Sequence, residues 1–254
     1  MKLPITVTMI TKNEAHRIED ALKSIQFASE IIVIDSESTD NTVEIAKKYG
    51  AKVIVTPFKG FGQQKNQAHE LASTDWVLNI DADERVNSAL ADEIAQAIQR
   101  QNFDGYFVPR RTWYIDRWID HSGWYPNHLL RLCRKTKGRW TTPIIHEELK
   151  IQGSVGAMKH PLEHFSFPTV RSHIEKNLEY AERARHQNGG IKSVPGVFGL
   201  FFQPLWKLLS MYVFKGGFLD GRAGWVIAVN SAYSTFLKYA YEWEAKRIAD
   251  SDRR

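Results

Sequence analysis

The chain has 254 residues, of which 43% are hydrophobic and 25% are charged, and its net charge is +5 at pH 7. These proportions are those of an ordinary folded protein, and they exclude a disordered chain, a collagen, a coiled coil and a disulfide-rich scaffold. The length suits one large domain or one domain with an appended piece. Cys133 is the single cysteine, which excludes an internal disulfide and is typical of a reducing compartment. The N-terminal segment has no long apolar stretch followed by a cleavage site, so we expect no secretory signal.

The first hundred residues alternate between strand and helix patterns. Short apolar, β-branched runs predict four strands, at residues 5–10, 31–35, 52–55 and 76–81. Apolar side chains at helical spacing predict intervening helices, near residues 18–25, 41–49, 63–72 and 88–100. Asn41 with Glu44 three residues later predicts a capping box at the start of the second helix. Four apolar strands separated by helices predict a parallel sheet with right-handed crossovers.

The second half of the chain is less regular. Short strands are predicted at residues 105–109, 129–134 and 148–151, and they are joined by loops that contain Trp, Gly and Pro. From residue 171 onward the spacing of apolar residues is helical again. We therefore expect an α/β domain over residues 1–160 and a helical C-terminal region over residues 161–254.

The positive charge is concentrated in the C-terminal part. Residues 1–158 carry 20 basic and 20 acidic side chains, whereas residues 159–254 carry 14 and 9. The latter range contains an aromatic-rich segment, GVFGLFFQPLWKLLSMYVF at 196–214. This combination indicates an anionic surface partner, and the apolar content favours a membrane over a nucleic acid. The run is too interrupted for a spanning helix, and the alternative is an ordinary buried helical subdomain.

Polar clusters follow each of the four predicted strands. They lie at residues 11–14, 35–40, 59–65 and 81–84. Ligands of open parallel sheets bind beyond the carboxyl ends of the strands. Four polar clusters at one edge of the sheet therefore indicate a binding site rather than four ordinary turns.

Asp81-Ala82-Asp83 is the most informative of these clusters. Two carboxylates that leave a buried strand can hold one hard divalent cation, which keeps open positions for phosphate oxygens. The alternative is that these acids only precede a helix, where negative charge is also favoured. No GxGxxG follows the first strand and no GxxxxGK[ST] occurs in the chain, which disfavours a dinucleotide-binding Rossmann enzyme and a P-loop NTPase.

Several of these segments resemble glycosyltransferase family 2. The resemblance is carried by residues 11–14, 31–42, 65–68 and 81–83, and it continues through 124–126, 129–135, 145–147 and 216–225. It implies the GT-A fold, a Rossmann-like nucleotide-binding mixed α/β sheet, here with a C-terminal helical subdomain. It also implies transfer of a sugar from a nucleotide donor with inversion at the anomeric carbon. Within the family the chain is most similar to the WaaE/KdtX (LgtF-like) lipopolysaccharide inner-core glucosyltransferases.

The resemblance also implies roles for particular residues. Nucleotide-binding residues are implied at Thr11, Asn13, Glu14, Asp35, Asp40, Lys65 and Asp81. A divalent metal, Mn²⁺ or Mg²⁺, is implied at Asp83 and His146. The Asp35 carboxylate can accept the N3–H of uracil. Lys65 stands where the family often has Arg, so it keeps the positive charge but lacks the planar fork of a guanidinium.

An inverting transfer needs a carboxylate that takes the proton from the acceptor hydroxyl. The resemblance favours Glu147 as this base, with Glu148 as the second candidate. Asp116 and Asp120 lie in a Trp-rich loop that we expect to shape the acceptor pocket. His160 and His164 have a metal-like spacing, but no accompanying Cys or acidic ligand is clear, and we expect no zinc there.

The expected function is transfer of a hexose, glucose from UDP-glucose, to a heptose of the lipopolysaccharide inner core. The expected partners are a UDP-sugar, a lipid-linked saccharide and an anionic membrane surface, at the inner face of the inner membrane of the cell. An alternative acceptor is a polyprenyl phosphate or a protein side chain. A non-catalytic binder is disfavoured by the intact Asp81, Asp83 and Glu147, and a nucleic-acid-binding module is disfavoured by the modest charge and the lack of a recognisable motif.

Overall fold

The computed structural model describes residues 2–142, 147–186 and 196–251 of the chain. These residues divide into two compact units. The first unit contains Met1–Arg111 and Asn127–Phe165, and the second contains Thr112–Pro126 and Ser166–Arg254. The sequence-based division at residue 160 stays a prediction.

The N-terminal half of the first unit is a parallel sheet flanked by helices. In chain order it contains β1 (Leu3–Thr11), α1 (Ile18–Ser24), β2 (Ala28–Asp35), α2 (Thr42–Lys48), β3 (Lys52–Val55), α3 (Phe61–Leu71) and β4 (Trp76–Asn79). The strand order is β3-β2-β1-β4, and each neighbouring pair is parallel. The predicted parallel sheet is therefore confirmed, and the carboxyl ends of its strands lie along one edge.

The strands that follow are largely antiparallel. In chain order the elements are β5 (Glu84–Val86), α4 (Ser88–Arg100), β6 (Gly105–Tyr114), β7 (Arg117–Ile119), β8 (Asn127–Arg134), β9 (Gly138–Trp140), β10 (Leu149–Ile151), β11 (Val155–Ala157) and β12 (Leu162–Phe167). The sheet of the first unit continues from β4 in the order β8-β6-β12-β5, and β9 and β10 form a separate two-stranded sheet. The result is a mixed α/β sheet.

Burial of apolar side chains explains these elements. The central strands β1 and β2 are buried on both faces over most of their length, and β2 accordingly contains the continuous apolar run Ile31–Ile34. In β1, Thr6 and Thr8 alternate with apolar residues but are buried as well. The helix predicted near residues 88–100 is confirmed as α4, and its buried residues Leu90, Ile94, Ala97 and Ile98 recur at helical spacing. Each large aliphatic side chain that is fully buried in this way contributes about 1.5–3 kcal/mol.

The predicted capping box at the start of α2 is wrong. Asn41 makes no side-chain hydrogen bond to the first turn. Instead Asp40 Oδ1 accepts a hydrogen bond of 3.0 Å from the backbone N–H of Thr42 and a second one from the Thr42 hydroxyl. Because the carboxylate one residue earlier already meets an orphan N–H of the helix, the Asn41–Glu44 pair is not needed for capping.

The second unit is built mainly from helices. The end of β6 pairs with β7 as a short antiparallel hairpin. The helices are α5 (Val170–His186), α6 (Gly196–Leu209) and α7 (Gly221–Ser251), with a π-helical turn at Ser210–Phe214 and a 3₁₀ turn at Gly217–Asp220. Both α5 and α6 pack against α7. Among the described residues, no helix is long and apolar enough to cross a membrane.

A buried histidine, His173, lies in an aromatic cluster of the second unit. Its Nδ1 atom is 3.1 Å from the Tyr114 hydroxyl and 3.4 Å from the side-chain amide nitrogen of Asn230. An amide nitrogen only donates, so Nδ1 accepts and the ring is neutral. The Phe167 ring packs against it, tilted by 47°, with 4.6 Å between the ring centroids. Burial, together with the positive charge of Lys176, lowers the pKa of His173 to about 4.

We expect the free energy of unfolding to decrease as the pH falls from about 6.5 to about 4. The folded-state pKa of His173 lies below the ordinary value of 6.5, so the unfolded chain takes up a proton in this window while the folded chain does not. Urea unfolding at several pH values should show a flatter dependence for His173→Gln, which does not titrate. Equal slopes for the two proteins would contradict this assignment.

Candidate active site

The carboxyl ends of β1 and β2 meet at a buried corner. The parallel register places Thr11 beside Asp35, and the Thr11 hydroxyl donates a hydrogen bond of 2.8 Å to Asp35 Oδ2. Asp35 also accepts from the backbone N–H and the hydroxyl of Ser38, at 2.8 and 2.6 Å. Asp35 is fully buried. The two residues predicted to meet the nucleotide base therefore lie together, in a corner that hydrogen bonds hold in shape.

Asn13, Glu14 and Asp40 lie in the two loops that connect β1 and β2 to the helices after them. Asn13 has a φ of 55°, a left-handed conformation that Asn tolerates better than most residues, and its side-chain oxygen accepts 2.8 Å from the backbone N–H of Thr39. Asp40 accepts 3.1 Å from the backbone N–H of Ala15. These contacts tie the two loops together. A direct contact of these three residues with a nucleotide stays a prediction.

Arg131 on β8 neutralises carboxylates that follow β4. The antiparallel pairing of β8 with β4 brings the guanidinium to this edge. Its Nη2 atom lies 2.7 Å from Asp81 Oδ2 and 2.6 Å from Glu84 Oε1, and its Nη1 atom donates 3.0 Å to the side-chain oxygen of Asn79. The side chain of Glu84 has no exposed surface, and that of Arg131 is 5% exposed. A single buried cation thus fixes the turn that carries the Asp-x-Asp motif.

Asp81 is held ionised by its surroundings. Burial alone would raise the pKa of its carboxyl group, but the positive charges of Arg131 and Lys65 outweigh burial and hold the pKa below its ordinary value. The reciprocal effect keeps Arg131 charged, since Asp81 and Glu84 raise the pKa of its guanidinium against the effect of burial. Asp81 still exposes about a third of its side chain, 32%. It can therefore meet a ligand as an anion.

Lys65 on α3 connects the Asp-x-Asp segment to Glu147. Its ammonium nitrogen lies 2.8 Å from Glu147 Oε1, 3.7 Å from Asp81 Oδ1 and 4.6 Å from the centroid of the Trp140 ring. The Lys65 side chain is only 6% exposed, and that of Glu147 is 17% exposed. Three residues that the sequence singled out as separate candidates, Lys65, Asp81 and Glu147, therefore form one cluster.

The position of Lys65 is fixed by the contact of α3 with the segment around β9. Asn66 donates 2.9 Å to the backbone carbonyl of Trp140 and accepts 2.9 Å from its backbone N–H. At Gly62, one turn earlier, an added Cβ would lie 1.9 Å from the carbonyl oxygen of Thr141. Only glycine permits so close an approach of helix and strand. This packing explains why Lys65 can reach Glu147.

Asp83 points toward a second group of side chains. Antiparallel pairing of β12 with β5 places His164 near it, and His164 Nε2 lies 3.2 Å from Asp83 Oδ2. Arg17 Nη1 lies 3.5 Å from the same oxygen. His160, which shares a metal-like spacing with His164 in the sequence, lies elsewhere, since its Nδ1 atom is 2.9 Å from Glu93. The spacing of the two histidines does not correspond to a shared site.

Asp83 and His164 fit a divalent cation as a pair of ligands. Their 3.2 Å separation is close to the ~3 Å between neighbouring ligands around an octahedral ion with bonds of about 2.1 Å. A carboxylate oxygen and an imidazole nitrogen are both suitable ligands for Mn²⁺ or a similar ion. In the ranges that the structure describes, no group of three or more His, Cys, Asp or Glu side chains could hold a metal. An ion at Asp83 and His164 would thus leave positions for oxygens of a bound substrate.

The remaining sequence candidates have different positions. His146, the predicted second metal ligand, lies outside the described residues. Glu148, the second candidate for the base, is 62% exposed and pairs with Lys150. Asp116 and Asp120 belong to the second unit. Of the two glutamates, Glu147 is the one in the Lys65 cluster.

Sequence reasoning assigned no role in this site to three of its residues, Arg131, Glu84 and His164. Arg131 stands in the segment that carried the family resemblance, but its role depends on a strand pairing that the sequence does not display. Glu84 follows the Asp-x-Asp motif directly, and its position is also explained by the preference for acidic residues before a helix. A charged residue in an otherwise apolar strand pattern, such as Arg131 in LLRLC, was the one available signal, because a buried charge needs a partner.

We expect Arg131→Met to lower the free energy of unfolding by about 3–5 kcal/mol, because Asp81 loses its partner at 2.7 Å and the fully buried Glu84 is left with the more distant Arg110, at 3.2 Å. Urea unfolding measures this loss. Arg139→Met is the matched control on the exposed face of β9, and its effect should stay within about 0.5 kcal/mol. Equal, small losses in the two variants would contradict a neutralising role for Arg131.

Comparisons with known proteins identify the family of the chain. The family model for glycosyl transferase family 2 matches residues 6–151, which is more than half of the chain. An uncharacterised glycosyltransferase of Rickettsia felis (strain ATCC VR-1525 / URRWXCal2) is 31% identical over 250 residues, which cover 93% of this chain and 88% of that protein. The lipopolysaccharide core biosynthesis glycosyltransferase LpsC of Rhizobium meliloti (strain 1021) is 29% identical over 247 residues, with coverage of 94% and 92%.

A solved structure supports the fold. The structure of S. aureus TarS 1-349 in complex with UDP-GlcNAc aligns with a TM-score of 0.50 over 96% of this chain and 92% of that chain. At 15% sequence identity this likeness concerns the fold alone. The predicted GT-A-like mixed α/β fold with a C-terminal helical region is confirmed. The chain therefore belongs to glycosyl transferase family 2 and is a glycosyltransferase.

Proposed function

We propose that this glycosyltransferase moves a hexose, glucose from UDP-glucose, to a heptose of a lipopolysaccharide inner core, with inversion at the anomeric carbon. The LPS-core assignment is supported by the likeness to LpsC, which extends over most of both chains. The choice of glucose and heptose is supported by the sequence resemblance to inner-core glucosyltransferases. A polyprenyl phosphate or a protein side chain is the alternative acceptor.

The observation that carries the proposal is the position of Lys65 between Asp81 and Glu147. One ammonium group lies 2.8 Å from a carboxylate that can serve as a base and 3.7 Å from the carboxylate at the end of the central strand β4. An ammonium at this position can bind a diphosphate oxygen with a charge-assisted hydrogen bond. Lys65 would thus link the residues that bind the donor to the residue that takes the proton.

The donor would lie along the carboxyl edge of the parallel strands. The corner of Thr11 and Asp35 would receive the base, with the loops of Asn13, Glu14 and Asp40 around it. Asp81, which is ionised and partly exposed, would accept a hydrogen bond from a hydroxyl group of the ribose. Lys65 would turn toward the diphosphate, because its flexible stem and rotatable ammonium allow a change of partner.

Asp83 and His164 would hold the metal, Mn²⁺ or Mg²⁺, with His146 as a further predicted ligand. The pairing of His164 with Asp83 at 3.2 Å supports this assignment. When bound, such an ion supplies Lewis-acid stabilisation of the negative charge on the departing diphosphate. Arg17, 3.5 Å from Asp83, would offset the negative charge of this carboxylate in the metal-free protein.

Glu147 would act as the general base. Its carboxylate would take the proton of the acceptor hydroxyl as the hydroxyl oxygen attacks the anomeric carbon, while the bond from that carbon to the diphosphate oxygen breaks on the opposite face. Glu147 is held by Lys65 until the diphosphate competes for the same ammonium. The exposed Glu148, paired with Lys150, is a weaker candidate.

The proposed partners follow from the acceptor. A lipid-linked saccharide would be met at an anionic membrane surface, on the cytoplasmic side of the inner membrane, by a peripheral enzyme. Positive charge and aromatic side chains in the C-terminal region support this location. We propose no nucleic-acid partner.

Asp83→Asn should remove the thermal stabilisation that UDP with Mn²⁺ gives to the wild-type protein, because an amide is a weaker ligand than a carboxylate for a hard cation. A thermal-shift panel with UDP-, GDP- and dTDP-sugars and each metal measures this and ranks the bases. Asp92→Asn, on the exposed side of α4, is the control and should behave as the wild type. Normal stabilisation of Asp83→Asn by metal and UDP would overturn the metal assignment.

Glu147→Gln should lower the rate of sugar transfer by about 10²–10⁴-fold, because the amide keeps the shape of the side chain but accepts no proton at neutral pH. The affinity for the UDP-sugar should not weaken. The neighbouring Glu148→Gln is the matched control and should transfer at nearly the wild-type rate. Near-normal transfer by Glu147→Gln would place the base elsewhere, and Asp116 and Asp120 would be tested next.

A further inference from the structure

The second unit exposes an unusual amount of apolar surface along α6. Five large apolar residues on this helix are at least 42% exposed: Phe201, Phe202, Leu205, Trp206 and Leu209. They occupy positions i, i+1, i+4, i+5 and i+8, which lie on one side of a helix. Exposed apolar patches this large on a soluble protein mark an interaction surface.

The apolar surface continues into the turns after α6 and into α7. Phe214 is 71% exposed, and its ring lies 5.7 Å from that of Trp206. Tyr212 contacts the rings of Phe218 and Trp225, at centroid distances of 6.4 and 5.0 Å. Further exposed residues of α7 recur at helical spacing, at Trp225, Val229, Tyr233, Phe236 and Trp243. We call the exposed apolar residues from Phe201 to Trp225 the aromatic face.

The aromatic face carries charge of one sign. Residues 196–219 contain no Asp or Glu, and their charged residues are Lys207 and Lys215. Lys215 and the following Arg222 are exposed. The next acid along the chain, Asp220, is buried and accepts hydrogen bonds. A partner of the aromatic face must therefore combine an apolar interior with negative charge at its surface.

The turn within the aromatic face is firmly built. Asp220 accepts hydrogen bonds of 3.2 Å from the backbone N–H groups of Asp120 and His121 and from the Ser122 hydroxyl. At Gly224 an added Cβ would lie 1.8 Å from the carbonyl oxygen of Gly217, so the start of α7 packs directly on the turn. The exposed aromatic residues thus project from a defined scaffold, which limits the entropy lost on binding.

We propose that the aromatic face binds the surface of an anionic lipid bilayer, with its aromatic side chains in the interfacial region and Lys207, Lys215 and Arg222 at the headgroups. Apolar residues beside lysines are typical of helices that lie in the plane of the interface without crossing it. A second copy of the chain is a poorer partner, because a two-fold interface would bring the same positive charges together. The inference deepens the proposed function, since a lipid-linked acceptor lies at such a surface, but its test needs no sugar.

Vesicle flotation with the full chain tests the proposal. Wild-type protein should float with vesicles of phosphatidylcholine and phosphatidylglycerol, and binding should weaken in high salt and with phosphatidylcholine alone. Phe214→Ser and Trp206→Ser should each weaken partition by about 10-fold. Phe58→Ser, which removes a half-exposed phenylalanine of the first unit, is the matched control and should float as the wild type.

A second readout reports on the depth of binding. Brominated lipids should quench the fluorescence of a variant whose single tryptophan is Trp206. They should not quench a variant that retains only Trp76, which is buried in the first unit.

Absence of binding to anionic vesicles at low salt would overturn the proposal. The proposal would also be overturned if the protein formed a stable dimer in solution that Phe214→Ser dissociates, because the aromatic face would then bind a second copy of the chain. If the wild-type protein floats with anionic vesicles but shows no sugar transfer in a separate assay, this inference stands and the proposed function is overturned.

Discussion

The organisation of this site depends on the neutralisation of carboxylates that crowd one edge of a sheet. Asp81 and Glu84 leave the same strand end, and Glu147 reaches the same place from another segment. Uncompensated negative charges so close together would repel each other and would be costly to bury. Arg131 and Lys65 offset this cost, Arg131 between Asp81 and Glu84 and Lys65 between Asp81 and Glu147. Arg110 adds a further positive charge, 3.2 Å from Glu84, and these cations together determine where the anions can lie.

Arg131 and Lys65 differ in how tightly they bind the carboxylates, and their proposed roles follow from this difference. Arg131 bonds Asp81 and Glu84 at 2.7 and 2.6 Å, so it serves as a fixed support. Lys65 lies farther from Asp81, at 3.7 Å, and its ammonium carries three rotatable donors. A diphosphate would compete for Lys65 and not for Arg131. Under the proposed function, donor binding would release Glu147 to act as the base while Asp81 stays in place.

The sequence predicts the parts of the site that depend on local pattern. Apolar runs place β1 to β4, and helical spacing places α4 with its four buried residues. The polar clusters at strand ends lead to Thr11, Asp35 and Asp81, since parallel strands bring their carboxyl ends together. The family resemblance, rather than periodicity, leads to Glu147.

The residues that were missed depend on non-local pairing. Arg131 reaches Asp81 because β8 runs antiparallel to β4, and His164 reaches Asp83 because β12 runs antiparallel to β5. Neither register can be read from short, irregular strands separated by long loops. The capping box at Asn41 was wrong because Asn41 makes no side-chain cap hydrogen bond, while the carboxylate of Asp40 accepts from the backbone N–H of Thr42, the first residue of the helix. A local motif alone does not show which of two adjacent acceptors is used.

Competition between Glu147 and the donor for Lys65 can be measured by calorimetric titration of the protein with UDP-glucose in the presence of Mn²⁺. The measurement compares the wild type with Lys65→Met, Glu147→Gln and the double variant. We expect Lys65→Met to weaken binding, and we expect Glu147→Gln to strengthen binding only where Lys65 is present, because removal of the carboxylate frees the ammonium. If Glu147→Gln instead changes the affinity equally with and without Lys65, the two side chains are not coupled, and the competition is contradicted.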